Sequence, residues 1–263
     1  MHLTVATWNI NSLRLRRGLL TRLVGELAPD LICLQETKVP DALFPEDIAA
    51  EIGFPHALKR GMKGYNGVAI LSRLPLEPVA DTPDWCGKED CRHLAARLPN
   101  GVVIHNFYVP AGGDIPDPDA NPKFRHKLDF IAETQAHFAA HPPSRAILVG
   151  DLNIAPLEHD VWSHKQLLGI VSHTPPETAG LTAWAAAGFT DAVRHFVPDS
   201  EKLYTWWSYR NQDWEKSDRG RRLDHIWVSN DLAGGLLSHR ILKTARNWPQ
   251  PSDHVPVAVT LQV

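Results

Sequence analysis

LVGDLNIAP, Leu148 to Pro156, ends an apolar strand on a carboxylate and a carboxamide. The run Ala146-Ile147-Leu148-Val149 has the composition of a strand buried on both faces. It leaves its sheet through Gly-Asp-Leu-Asn. Asp151 and Asn153 stand two apart, so an extended backbone leans both side chains to one side. Such a pair can be an Asx turn, or it can be half of a site for a metal ion or a water. The other strand ends choose between the two.

Strand-like apolar runs recur at 3–7, 31–34, 68–72, 94–98, 102–109, 146–149, 223–228 and 255–261. Strand 3–7 runs into Trp8-Asn9-Ile10-Asn11, and strand 31–34 into Gln35-Glu36-Thr37-Lys38. Strand 102–109 carries Asn106 and Tyr108 near its end. Strand 223–228 begins Leu223-Asp224-His225, and Ser252-Asp253-His254 precedes the last strand. One carboxylate or amide at a strand end is turn chemistry. Repeated at five strand ends, the pattern predicts a common rim where these groups meet. Taken singly, Asn9 and Asn11 read as turn formers, Asp224 as a strand cap and Tyr108 as core. Glu36 is harder to dismiss, because a charge that follows a buried strand must find a cation or water.

The set is rich in hard oxygen donors, contains one rim histidine and lacks cysteine. That chemistry suits Mg²⁺ or Mn²⁺ better than Zn²⁺. A metal beside separate carboxylates and a His–Asp pair suits phosphate-ester hydrolysis.

Between the strands, Leu15, Leu19, Leu20, Leu23, Val24 and Leu27 repeat at helical spacing, ended by Pro29-Asp30. Phe124, Leu128, Ile131 and Phe138 mark a second helix, and Thr178 to Ala187, closed by Gly188, a third. Runs 94–98 and 102–109 read as an antiparallel hairpin. Mixed sheets covered by helices are therefore expected over a doubly wound parallel sheet. Gly112–Pro122 reads as a surface loop too short to divide domains, so one domain over 1–263 is expected.

A length of 263 residues allows a substantial core, and 43% hydrophobic with 22% charged residues is ordinary for a soluble protein. Met1-His2-Leu3-Thr4-Val5 has no secretory pattern, no run approaches membrane-spanning length, and three cysteines do not make a disulfide framework. Cys33 reads as core; Cys86 and Cys91 receive no role. A reduced cytoplasmic protein is expected, without membrane or obligate protein partner, and monomeric by default. Net charge of −3 does not advertise nucleic acid, although basic residues cluster at Arg14–Arg17, Lys59–Lys63, Lys123–Lys127, Arg219–Arg222 and Arg240–Arg246. On composition alone these clusters read as solvated faces.

In order along the chain, TWNINSLR (7–14), LICLQETK (31–38), GVAILSR (67–73), NFYVPAGG (106–113), GDLNIAP (150–156), RRLDHIWVS (221–229) and SDHVPV (252–257) resemble the exonuclease III branch of the endonuclease/exonuclease/phosphatase superfamily. The resemblance spans residues 3 to 261. It implies a four-layer α/β/β/α sandwich of deoxyribonuclease I type, in the α/β class with mixed sheets, with the site at one rim. The segment Tyr204–His225, where tryptophans interleave with arginines, favours the DNA repair nucleases over the lipid and inositol phosphatases of the superfamily.

The implied activity is Mg²⁺-dependent hydrolysis, with Mn²⁺ as a substitute, 5′ to abasic sites and at 3′ ends of duplex DNA. A lipid or inositol phosphodiesterase is the alternative, and a non-catalytic DNA-binding scaffold ranks last. The resemblance makes Glu36 the principal metal ligand, with Asn9, Asp151, Asn153, Asp253 and His254 around the metal. It makes Asp151 the group that activates water, Asn153 and Tyr108 phosphate contacts, and His254 a proton-transfer residue oriented by Asp224. Asn11, Lys38, Trp206, Arg221 and Leu223 are implied substrate contacts. Three positions depart from the pattern: Ala111 stands where some relatives have Asn, Asn11 where animal relatives have Asp, and Arg221 where some abasic endonucleases have an aromatic.

Overall fold

The computed structural model describes residues 1–80 and 82–263. Its strands are β1 (His2–Asn9), β2 (Leu31–Gln35), β3 (His56–Arg60), β4 (Val68–Ser72), β5 (Glu77–Pro78), β6 (His93–Arg97), β7 (Val103–Tyr108), β8 (Ala146–Asp151), β9 (Phe189–Asp191), β10 (Asp224–Ser229), β11 (Leu236–Ile241) and β12 (Val257–Gln262). Its helices are α1 (Leu13–Leu27), α2 (Glu46–Glu51), α3 (Pro122–Ala140), α4 (His164–Leu167), α5 (Pro175–Ala186) and α6 (Trp214–Ser217).

All eight apolar runs form strands. The four strands without such a run, β3, β5, β9 and β11, are the outer strands of the two six-stranded sheets, ordered β11-β12-β1-β2-β4-β3 and β5-β6-β7-β8-β10-β9. Edge strands have fewer core contacts, so their sequence carries little apolar signal. Both sheets are mixed. β6 and β7 pair antiparallel as expected, but β1–β2 and β7–β8 are parallel. α1 and α3 make those two crossovers, so βαβ units do occur within the mixed sheets.

The layers follow from period-two alternation. Leu3 and Val5 of β1 point into a core shared with Cys33, Ile104, Ile147, Val149, Ile226 and Val259, between the sheets. Ala6 and Trp8 pack instead with Leu20, Leu23 and Leu27 of α1. Outside the second sheet, Phe130, Ile131 and Phe138 of α3 and Leu181 and Trp184 of α5 cover Leu148 and Trp227. The result is the expected α/β/β/α sandwich.

Three local expectations need correction. Leu15 is exposed, because the buried stripe of α1 begins at Leu13 and runs through Arg16 and Leu20. α5 starts at Pro175, where Thr174 and Glu177 form a reciprocal cap and prolines occupy the first turn. The basic clusters are not all solvated faces: Arg16, Lys127, Arg222 and Arg246 are buried. Arg222 is spent on Asp160 and Asp191, at 3.0 and 2.7 Å.

Buried histidines make the fold acid-sensitive. His93 Nε2 and His105 Nδ1 lie 3.1 Å apart, with His93 stacked on Phe107 at 3.9 Å. Burial holds His93 well below its ordinary value and His105 at about 4, and it drives His225 down to about 3. A histidine whose folded pKa is depressed leaves the unfolded chain binding more protons between the two values. The contribution of these rings to stability is therefore complete above the ordinary histidine value of 6.5 and falls as pH drops towards 4. We expect unfolding free energies from urea titrations to decline from pH 6.5 to 4.5, each buried neutral ring lowering them by about 1.4 kcal/mol per pH unit and the raised Asp151 carboxyl offsetting about one ring. A flat profile over that range would refute a neutral buried set.

Candidate active site

The site is built where the strand ends converge. Gly150 opens the exit of β8: its φ is +145°, and a Cβ there would meet the Phe107 carbonyl oxygen of the neighbouring strand at 1.9 Å. Only glycine lets β8 pass so close to β7 before turning out at Asp151. Asn11, Glu36, Lys38 and Asn153 likewise hold positive φ, between 46° and 54°, a backbone region disfavoured for side-chain-bearing residues. Each marks a sharp departure from a buried strand, held by partners across the rim.

Those partners form a nearly continuous chain. Asn11 Nδ2 donates to Asp253 Oδ1 at 3.1 Å, while Lys38 Nζ reaches Asn11 Oδ1 at 2.6 Å and Glu36 Oε2 at 2.8 Å. Tyr108 donates its hydroxyl to Glu36 Oε1 at 2.9 Å. Asn9, fully buried, sends its Nδ2 to Glu36 Oε1 at 2.9 Å and to Asp151 Oδ2 at 2.8 Å. Asp151 also receives the Asn153 backbone N–H at 2.9 Å, and Asn153 Nδ2 bonds the Val109 carbonyl at 2.9 Å. His254 Nε2 stands 3.6 Å from Asp151 Oδ2, and its Nδ1 is 2.8 Å from Asp224 Oδ2. Trp206 Nε1 donates to Asp253 Oδ2 at 2.9 Å. Asp151, Asp224 and His254 are close enough to share one ion.

The electrostatics follow from burial among carboxylates. Burial pushes Asp151 up to about 7, helped by Asp224 and Glu36 and opposed by His254. For His254, burial opposes the charge, but Asp224, Asp151 and Asp253 outweigh it and lift the imidazole to about 10. The ring therefore carries a proton on each nitrogen at neutral pH, one committed to Asp224. Burial also opposes the Glu36 charge, yet Lys38 and Asn9 hold its carboxyl below the ordinary range. Tyr108 is pushed well above its ordinary value, first by burial and then by Glu36, so it stays a donor.

A cavity of about 780 Å³ opens over this rim. Glu36, Tyr108, Asn153, Asp253 and His254 line it together with Trp206, Arg221 and Leu223. Trp206 pairs with His254 on one flank and Arg221 on the other, so the three project from the same face of a small ladder. The Arg221 guanidinium lies over the Trp206 ring at 5.3 Å and donates to the Val171 carbonyl and Ser172 Oγ. Ala111 also lines the cavity. Asn9, Asn11, Lys38, Asp151 and Asp224 stand behind or beside this lining. Every residue expected at the site from the sequence thus lies in or next to one cluster. Asn9 turns its amide N–H groups, not its carbonyl, to the two carboxylates, and so serves as a cross-link between them.

Thr205 was not anticipated. Its hydroxyl donates to Asp224 Oδ2 at 2.6 Å and accepts the backbone N–H groups of Leu223 and Asp224. Ser252 has a like part: its Oγ donates to the Asn9 carbonyl at 2.7 Å and joins the first and last segments of the site. Thr205 had no signal beyond its place in a tryptophan-rich segment, whereas Ser252 sits inside the SDH motif.

A fold of two stacked mixed sheets with carboxylates, amides and a histidine at one rim defines a class of phosphoesterases. The sequence pattern of the Endonuclease/Exonuclease/phosphatase family matches residues 6–254, and the chain belongs to that family. Among its relatives, exodeoxyribonuclease III of Haemophilus influenzae is 32% identical over 95% of this chain and 97% of its own length. An AP endonuclease from Archaeoglobus fulgidus superposes with a TM-score of 0.91 at 32% identity, covering 99% of this chain and 100% of its own. A 3′ phosphatase from Neisseria, solved bound to product DNA hairpin, gives a TM-score of 0.90 at 29% identity over 99% and 100%.

Proposed function

We propose that this chain is a DNA repair nuclease that hydrolyses phosphodiester bonds 5′ to abasic sites and trims 3′ ends of duplex DNA, with residues 1–263 as one catalytic unit. The observation that carries the reading is the convergence of Glu36, Asp151 and the Asp224–His254 pair beneath a cavity walled by Trp206, Arg221 and Leu223. The named activities of its relatives and the DNA hairpin held by one of them support it.

The donor set fits a divalent cation of the Mg²⁺ kind. Its anionic oxygens are all carboxylate, and the Lys38 ammonium already sits as a cation on Glu36. Glu36 would hold the metal, with Asp151, Asn153, Asp253 and His254 facing the same space. When bound, the metal would neutralise charge that develops on the phosphate oxygens. The chain's own groups divide the rest. Asp151, steadied by Asn9 and Asn153, accepts the proton of the attacking water. His254 presents its Nε2–H to a phosphate oxygen, while Asp224 and Thr205 fix the ring through Nδ1. Tyr108 supplies a further donor beside Glu36. The aromatic and cationic wall of Trp206 and Arg221 suits a sugar–phosphate backbone.

The test is a labelled duplex carrying one abasic analogue, incubated with Mg²⁺ and then with EDTA. We expect one nick at the lesion with Mg²⁺, suppressed at least 100-fold by EDTA, and metal-dependent shortening of 3′ ends on an undamaged duplex. Binding without cutting would overturn the reading in favour of a scaffold. Hydrolysis of inositol or lipid phosphates without action on DNA would overturn it in favour of the other branch.

A further inference from the structure

Lys127 is fully buried on the apolar face of α3, and the reaction outlined above does not use it. Its ammonium meets Glu177 Oε1 at 2.5 Å, and Glu177 is also fully buried. The remaining donors go to the Asn153 carbonyl at 2.8 Å and the Ala111 carbonyl at 3.3 Å. Glu177 accepts the Ser172 N–H on both oxygens, at 2.8 and 3.0 Å, and the Thr174 N–H and hydroxyl at 3.1 and 2.6 Å. Ser172 Oγ and the Val171 carbonyl in turn hold Arg221. One ion pair therefore fastens the segment after β7, the segment after β8 and the loop before α5, each of which contributes to the cavity. Gly112 has no room for a side chain, because a Cβ there would lie 2.9 Å from Lys127 Cδ.

A buried ion pair is weak support for stability, since desolvation offsets its attraction and an apolar pair of similar volume often serves as well. Three geometric facts point to another role: every ammonium donor is used, two of its acceptors are main-chain carbonyls of cavity residues, and Asn153 is held at a φ of 54°. We infer that the Lys127–Glu177 pair is a positioning device that sets the Asn153 and Ala111 segments, and through Ser172 the Arg221 side chain, in the geometry hydrolysis requires. Lys127 touches no substrate. It acts through Asn153, whose backbone N–H and amide orient Asp151. This inference rests on the nuclease reading given above.

The experiment uses the full chain and the abasic duplex with Mg²⁺, comparing wild type, Lys127→Met, Asn153→Ala and the double variant. Lys127→Met is expected to lower kcat by about 10- to 100-fold, with KM within about threefold of wild type. In the Asn153→Ala background the same change should cost less than it does in wild type, because one of the segments the pair sets has already lost its orienting amide. Losses that multiply independently, or a Lys127→Met enzyme with wild-type kcat, would overturn the inference. Should Lys127→Met not fold, Glu177→Gln replaces it, and the same non-additivity with Asn153→Ala is expected. Amide hydrogen exchange separates failure of this inference from failure of the nuclease reading. Segments 110–113, 152–155 and 171–174 should exchange faster together in the variant, and by a larger factor than strands β1 and β12, which report the global loss of stability from leaving Glu177 unpaired, whether or not wild type cuts DNA. Unchanged exchange in those segments would overturn the clamp.

Discussion

Replacing Asp151 with alanine should abolish measurable turnover on an abasic duplex, lowering kcat by about 10³-fold or more. The carboxylate is the one group at the rim oriented by two separate amides, Asn9 and Asn153, with an imidazolium nearby. Among the described residues the neighbouring carboxylates are already engaged, Asp253 by Asn11 and Trp206. Glu36 is engaged by Lys38, Tyr108 and Asn9, and Asp224 is committed to His254 and Thr205. The fold should survive. The variant leaves amide donors without an acceptor, at about 1–3 kcal/mol, but also removes a charge crowded by Asp224 and Glu36, and the two effects oppose each other. Kinetics together with a thermal melt check this. A variant with more than a tenth of wild-type kcat would remove Asp151 from the role of base.

His254→Ala should cost about 10²- to 10⁴-fold in kcat, the range of a positioned acid–base group. Here stability should fall as well. The imidazolium is the nearest cation to Asp151 and Asp224, and its loss leaves two buried carboxylates facing each other. Asp224→Asn should give a smaller loss, because it removes the charge that orients the ring and keeps the ring itself. The combined variant should be no slower than His254→Ala alone, since Asp224 has no route to the phosphate except through the histidine. Steady-state kinetics on the three proteins decides it: a double variant at least tenfold slower than His254→Ala would give Asp224 an independent part.

How much of this could be read in advance differs from residue to residue. The central strands announced themselves through Val, Ile and Leu runs, and their polar ends announced a rim. The outer strands did not: His56–Arg60 and Leu236–Ile241 lack the apolar pattern, and only pairing with a neighbour makes them strands. Asp151, Asp224 and His254 were legible as residue types. That Asp224 orients His254 is implied by the family resemblance and not by the residue types, because it depends on the register of β8 against β10 and on where the last strand begins. Lys127 shows the same limit with a missed hint. It follows Phe124 by three and precedes Ile131 by four, so it sits on the apolar stripe of its helix, yet a count of basic residues placed it with the solvated ones. A lysine on such a stripe asks for a buried acid, and the acid was Glu177 in the Thr-Pro-Pro-Glu helix start.

The pairing of β1 with β12 sets a schedule for biosynthesis. Asn9 leaves the ribosome 243 residues ahead of Ser252, with Asp253 and His254 following directly. The Trp8 indole must still find the His254 carbonyl, and Ser252 the Asn9 carbonyl. Contacts of such sequence separation close only after the intervening chain is made. A nascent chain that ends before Ser252 can bury most of its apolar strands and still lack the histidine rim. The rim is complete only once the segment leading into β12 has docked against β1.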